Sequence, residues 1–432
     1  MAISRRQFLV GGGVAAAAGA FGLSACGSNS SAVSADGSAD LQFTWWGNPV
    51  RNKNTTDAID AYTAANPKVK IAAQPGEWAS YWDKLATQTA GNTSPDIIQM
   101  DMNYISEYGS RNALLDLEKY GADVSKFAPG TVDSGRIDGK LVGINAGINT
   151  PTILANPKVF EKAKIDLPDD TTWTWESMKE LSAELTAKAG SGIVGMTSPF
   201  NDALFSAFLR QHGKQLFTAT GLGFEAADVV PWMELMKSYE QAKAIPSAAQ
   251  ITEEASKSLD QGMLATGKAG MSMFWSNQVE AVNEASGGDM TILRFPSMTG
   301  KATDRKAWYK ASMLWSASSR SKDPEAAVAV INWWVNSQKC ADICLAERGM
   351  PPNTEIKAYV LPKLSKTQQA VAKFLDDIQP ELGDTPPAPL PGGGNTLADV
   401  LVRHQTDVLF GRASASDAAT QFTDELKSNL TV

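Results

Sequence analysis

Residues suited to ligand binding gather where short apolar runs stop. Leu41-Gln42-Phe43-Thr44-Trp45-Trp46 ends in two tryptophans, breaks at Gly47-Asn48-Pro49, and is followed by Arg51. Glu77 and Trp78 come after the run Val69-Lys70-Ile71-Ala72, and Asp101 with Asn103 ends the run that starts at Asp96. Asn149 lies in an extended stretch over 143–150, Asn201 and Asp202 follow the apolar stretch 192–197, and Trp275 ends Ala269-Gly270-Met271-Ser272-Met273-Phe274. Flat aromatic faces cover C–H surfaces, while planar amides and carboxylates pair with hydroxyls, so this set, in a chain with 12 tryptophans, suits a polyhydroxylated ligand. A second chemistry is open to the same residues: two of Glu77, Asp101 and Asp202 flanking one glycosidic bond would make a hydrolase. Arg51 together with Arg348 would hold a carboxylate, which would extend the ligands to acidic sugars.

Other chemistries lack their residues. There is no G-x-S-x-G elbow and no Cys–His pairing, and His212 and His404 are the only histidines, so no tetrahedral metal set and no cofactor is expected. The stretch Gly262 to Ala269 approaches a nucleotide-binding P-loop but lacks its final Ser or Thr, and it reads better as a glycine turn entering a strand.

The elements that must position these residues follow from periodicity. Adjacent strand residues point to opposite faces, so one of Trp45 and Trp46 is expected in a core and the other toward a cleft. Helical spacing over 55–65 and 81–89, with strands over 69–72 and 96–101, gives the β-α-β-α-β rhythm of a parallel sheet, whose C-terminal ends bring Trp46, Asn48, Glu77, Trp78, Asp101 and Asn103 to one edge. Asp138-Gly139 signals a tight hairpin. Beyond it are expected a helix over 156–164, a helix capped by Thr174 but without the Glu of a full capping box, a strand over 192–197, and one over 269–274. An N-cap role for Asn201 or Asp202 is an equal reading of that pair. Asp323-Pro324 starts a further helix, and two more close the chain over 397–409 and 416–426. The Pro/Gly-rich passage 385–394 reads as a surface loop, and no internal repeat is visible.

The N-terminus is an export segment. Ser4-Arg5-Arg6-Gln7-Phe8-Leu9 is a twin-arginine pattern ahead of a Gly/Ala-rich apolar stretch too short to span a bilayer. Leu23-Ser24-Ala25-Cys26-Gly27 resembles a lipobox, which assigns lipidation to Cys26 and makes residues 1–25 a signal peptide and 26–40 a lipid-anchored flexible tether. The folded part is therefore expected on the outer face of the cytoplasmic membrane. A length of 432 residues, 43% of them hydrophobic and 20% charged, implies a multi-domain globular protein. Its net charge of −8 becomes about −10 without Arg5 and Arg6, which excludes nucleic acid as a partner. Cys340 and Cys344, four apart on one helical face, leave open a disulfide or two small buried thiols.

Phe43-Thr44-Trp45-Trp46-Gly47, Asn66-Pro67, Leu85 to Asn92 with Pro95-Asp96, and Leu114-Leu115-Asp116-Leu117 carry a resemblance, together with Asp138 to Ile144, Trp173-Thr174-Trp175, Gly267 to Met271 and Arg348-Gly349-Met350-Pro351. In order and over essentially the whole mature chain, this set resembles the extracellular solute-binding proteins of carbohydrate ABC importers, the group that includes maltose-binding protein. The resemblance implies a two-lobed α/β periplasmic-binding fold of type II, with mainly parallel sheets flanked by helices. Three crossovers would join the lobes, one near 145–150, one at Arg294-Phe295-Pro296-Ser297 and one at 348–353. The lobes would be residues 41–148 plus 297–350 and residues 149–296 plus 351–432. A small-molecule carbohydrate would bind between them against Trp46, Asn48, Arg51, Glu77, Trp78, Asp101, Asn103, Asn149, Asn201, Asp202, Trp275 and Arg348. The partner would be an ABC permease with its ATPase, the chain a monomer without catalytic activity; a membrane-anchored glycoside hydrolase and a polysaccharide-binding adhesin are the competing classes.

Overall fold

The structure, a computed structural model, describes residues 37–47, 49–218, 221–383 and 390–430. The signal segment, Cys26, most of the tether, Asn48 and residues 384–389 of the Pro/Gly-rich passage lie outside that description. Two sheets organise the described residues. In the first, β1 (Ala39–Trp46), β2 (Val69–Gly76) and β3 (Ile97–Met100) pair in parallel in the order β2-β1-β3. The helices that return the chain between them, Pro49–Ala65 and Trp78–Ala90, start earlier than periodicity indicated, so Trp78 opens a helix rather than lying in a loop. The alternation of β1 is strict. Leu41, Phe43 and Trp45 enter a core with Ile59, Trp315, Ile331 and Trp334, whereas Trp46 enters a separate cluster with Tyr81, Leu85, Met100 and Leu314 on the other face.

A hairpin of β4 (Arg136–Ile137) and β5 (Lys140–Leu141) turns at Asp138 and Gly139, both with positive φ, as a two-residue type I′ turn requires. The chain then runs through β6 (Ile144–Asn145), at the edge of the first sheet, and β7 (Ile148–Asn149) into β8 (Pro151–Ala155) of the second sheet. That sheet adds β9 (Val194–Met196), while β10 (Phe217–Thr218) and β11 (Gly221–Leu222) form a separate small ribbon. With β12 (Ala269–Trp275) and β13 (Thr291–Leu293), the second sheet has the order β13-β8-β12-β9. Ile153, Ala155 and Met271 face a core with Trp175, Phe205, Trp232 and Phe422, and Leu154 faces another with Val279, Val282 and Leu375.

The return to the first sheet is made by β14 (Lys310–Ala311), antiparallel to β7, followed by β15 (Leu314–Ala317) between β3 and β6. This corrects the crossing expected at Arg294 to Ser297. Phe295, Ala307 and Trp308 are buried in the core that holds Ile153 and Met271, and Arg294 is fixed there by ion pairs to Asp170 at 3.3 Å and Glu381 at 2.7 Å. The sheets are mixed rather than mainly parallel, for a reason set by the crossings. Strands β1 to β3 run toward the crossings, while β15 starts at one and so runs the other way; likewise β8 leaves a crossing and β12 returns to it, its Trp275 opposite Pro151.

The third crossing lies where expected. Met350 exchanges backbone hydrogen bonds with Ile148 at 2.8 and 3.2 Å, and the Ser312 amide donates to the Gly147 carbonyl at 2.8 Å. The Ser312 hydroxyl reaches both the Gly147 and the Arg348 carbonyls. A side chain at Gly147 has no room, since its Cβ would fall 2.0 Å from the Arg348 carbonyl oxygen.

Two local expectations change. Ser177 completes the capping box that seemed to lack a Glu: its hydroxyl accepts from the Thr174 amide at 2.8 Å, while Thr174 Oγ1 accepts from the Ser177 amide at 3.1 Å. Cys340 and Cys344 are free thiols with their sulfurs 3.9 Å apart, because the helix Gln338–Cys344 keeps its regular turn.

Arg348, expected at the ligand, is buried inside the first lobe. Its guanidinium donates to Gln99 Oε1 at 3.0 Å and Thr55 Oγ1 at 2.7 Å, contacts Glu347, and lies over Trp315 at 5.0 Å and Trp334 at 5.9 Å. Burial works against its charge, and Glu347 supports it. Arg348→Met leaves the buried Gln99 Oε1 and Thr55 Oγ1 without their donor, while Glu347 keeps Arg51, and is expected to lower stability by about 1–3 kcal/mol in urea unfolding.

Candidate ligand site

The residues expected at the ligand fall into one group on each lobe. On the first, Trp46 is buried beneath Trp78, with ring centroids 5.0 Å apart, and is boxed in by Tyr81 at 5.1 Å and Trp82 at 5.4 Å. Trp82 stacks on Tyr104 at 3.8 Å and 15°. These rings come from the end of β1, the first turns of the helix Trp78–Ala90 and the turn after β3, so a single aromatic cluster caps the C-terminal edge of the sheet. Trp78 is its exposed member, at 44% accessibility, while Trp46 supports it from below. Glu77 is exposed at the helix start, next to Trp78. Asp101 is buried and holds the turn after β3, accepting from the Asn103 amide at 2.9 Å, and Asn103 is exposed.

Arg51 joins this lobe but is tied down, with Nε 2.8 Å from Glu347 Oε1. Glu347 thus sits between both arginines, and the Arg51–Arg348 carboxylate clamp is not assembled.

The second group surrounds β7, β12 and β14. Asn149 is buried; its Nδ2 donates to Asn277 Oδ1 at 3.2 Å, and its Oδ1 has no hydrogen-bond partner among the described residues. Such a buried, unpaired acceptor calls for a donor from outside the protein. Asn201 is the N-cap of the helix Asp202–Gln211, its Oδ1 accepting from the Leu204 amide at 2.9 Å, and its amide nitrogen lies 3.0 Å from Met273 Sδ. Asp202, half-buried at the first turn, has its carboxyl pushed up by burial, with the Lys310 ammonium acting against that rise. Lys310 in turn lies over Trp275, with Nζ 4.8 Å from the ring centroid. Lys310 and Asn277 touch this group through Trp275 and Asn149 yet drew no role from the sequence, Lys310 because the crossing was expected thirteen residues earlier. The Trp308-Tyr309-Lys310 run, a cation after two aromatics, was the available signal. A cavity of about 420 Å³ opens between the lobes beside Asn277, with Val50 and Asn54 on one side and Ser276 and Glu280 on the other. No group of three or more metal-ligating side chains occurs among the described residues.

The fold is shared with solved structures. These include a family 1 extracellular solute-binding protein from Alicyclobacillus acidocaldarius, with 23% identity over 90% of this chain and 98% of that one and a TM-score of 0.72. A periplasmic oligogalacturonide-binding protein from Yersinia enterocolitica matches at 18% over 91% and 100%, with a TM-score of 0.77. An ABC substrate-binding protein from Listeria monocytogenes, solved with cycloalternan, matches at 19% over 90% and 98%, with a TM-score of 0.73. Residues 2–22 match the signal sequence of the twin-arginine translocation pathway. The description that matches residues 57–373 is bacterial extracellular solute-binding protein, and the chain belongs to that family.

Proposed function

We propose that the protein captures a sugar, an oligosaccharide in the first instance, between its two lobes and delivers it to an ABC permease. The observation that carries this reading is the buried Asn149, whose free Oδ1 awaits a donor at the crossing between two aromatic-rich edges. A sugar hydroxyl supplies that donor, and Trp78 and Trp275 supply faces for its C–H surfaces. The Yersinia and Listeria relatives, described with an oligogalacturonide and with cycloalternan, support a carbohydrate over other solutes. With the second crossing at β14, the lobes divide as residues 39–147 with 312–347 and residues 149–310 with 350–430. Closure about the crossings buries the sugar, and the permease reads the closed form. Trp46, Glu77, Trp78, Asp101 and Asn103 form one wall and Asn149, Asn201, Asp202 and Trp275 the other, with Arg51 beside the first; Asn48, outside the described residues, joins this proposal on its place in the sequence alone.

Turnover is not part of this function. Asp101 is committed to its own turn, and Asp202, on the other lobe, is approached by Lys310 and not by a second carboxylate, which favours binding over hydrolysis. A diacylated Cys26 holds the receptor, a monomer, to the outer face of the membrane through the tether.

Titrating the protein from Gly27 onward with mono- and oligosaccharides, followed by tryptophan fluorescence and product analysis, tests the reading. A saturable shift with the sugar recovered intact is expected; cleaved sugar makes the protein a hydrolase, and silence toward every sugar removes the carbohydrate assignment. Trp78→Ala is expected to weaken binding about tenfold or more while changing stability by less than about 1 kcal/mol, because the ring is exposed. Trp46→Ala is expected to cost about 3–5 kcal/mol of stability in the same unfolding assay. Cys26→Ala is expected to move the protein from the membrane fraction to the medium.

A further inference from the structure

Lys310 occupies the place that a sugar needs. Its ammonium is 4.8 Å from the centroid of Trp275, and it makes no ion pair among the described residues. Trp275 leans on the core of the second lobe, so Lys310 covers it from the crossing side. A sugar ring stacked there would need carbon contacts of about 4 Å, which leaves no room for the ammonium on the same face. An ammonium resting on an indole that water still reaches is a weak contact, one that a ligand can displace.

A destination stands ready. Asp202 opens the helix Asp202–Gln211, whose start lies beside the end of β12, where the Asn201 amide nitrogen is 3.0 Å from Met273 Sδ; burial disfavours the Asp202 charge, and the cation acting on it is Lys310. Three elements thus converge: the end of β12 brings the ring, β14 the ammonium and the helix the carboxyl.

We propose that Lys310 is a placeholder: without ligand it caps Trp275, and an incoming sugar displaces it onto Asp202, forming an ion pair that exists only in the loaded protein. This rests on the sugar-binding reading. Because Lys310 belongs to a crossing strand paired with Asn149, occupancy of the ring changes the side-chain contacts of the hinge itself.

The test follows the Asp202 carboxyl by carbon-13 NMR, assigned with Asp202→Asn. In ligand-free protein, Trp275→Leu keeps the apolar packing but removes the indole, so the ammonium falls on Asp202 and its pKa drops by about 1 unit; Lys310→Met raises it. Saturating sugar is expected to lower the wild-type pKa as Trp275→Leu does, and to leave it unmoved in Lys310→Met. An Asp202 pKa unchanged by Trp275→Leu, or sugar bound without a drop, overturns the proposal. If no sugar binds at all, the carbohydrate reading fails, while the ligand-free comparison still decides whether Lys310 is shared between Trp275 and Asp202.

Discussion

Backbone meets backbone at Gly147, Ser312 and Arg348, and this contact sets how the two lobes relate. Three separate segments are stitched there by the paired amides of Ile148 and Met350, by Ser312 bridging two carbonyls, and by a glycine with no side chain to hold them apart. The stitch is not the only contact: backbone hydrogen bonds join Lys126 and Ala128 to Thr354 and Pro352, and one core takes in Ala341 beside Ile148, Met350 and Val360, so bending at the stitch works against some apolar packing as well as hydrogen bonds.

Arg348 extends the stitch into the first lobe. Its backbone belongs to the third crossing, while its side chain reaches Gln99 on β3 and Thr55 on the first helix; the Gln99 amide in turn donates to the Trp46 carbonyl at 3.0 Å. A continuous polar path therefore runs from the hinge to the strand end that supports the exposed Trp78. Burying a guanidinium for this purpose is costly. Two indoles, two neutral acceptors and Glu347 share the task of holding it, which is why an arginine that looked suited to a ligand carboxylate is engaged inside the first lobe instead.

Short-range features were readable in the chain, and long-range ones were not. The alternation of Leu41, Phe43 and Trp45 against Thr44 and Trp46 told the two faces of β1 apart, the positive-φ pair at Asp138-Gly139 followed from residue type, and Asn201 capped the helix it preceded. Arg294-Phe295-Pro296-Ser297 has the composition of a crossing; only its partners Asp170 and Glu381, 124 and 87 residues away, keep it in the second lobe. Arg348 was misread for the same reason, since Gln99 and Thr55 lie 249 and 293 residues from it. Residue type placed rings near the sheet edge, but did not show that Trp46, expected toward a cleft, is buried beneath Trp78 at the start of a helix. The contact of Lys310 with Trp275 was not legible, because it arises only once β14 is placed beside β7.

The interleaving of the two sheets also orders events during synthesis. Strand β3 pairs with β1 on one side and with β15 on the other, and β15 is not complete until residue 317, after all four strands of the second sheet. Until then the ribosome holds a nascent chain with an open, apolar β3 edge, the kind of edge that invites wrong pairing. The twin-arginine signal, at residues 2–22, emerges long before that edge is sealed. Cotranslational folding of this receptor is therefore a wait for its last third, and translation speed or a chaperone covering β3 bears on its yield more than on that of a protein whose domains are consecutive.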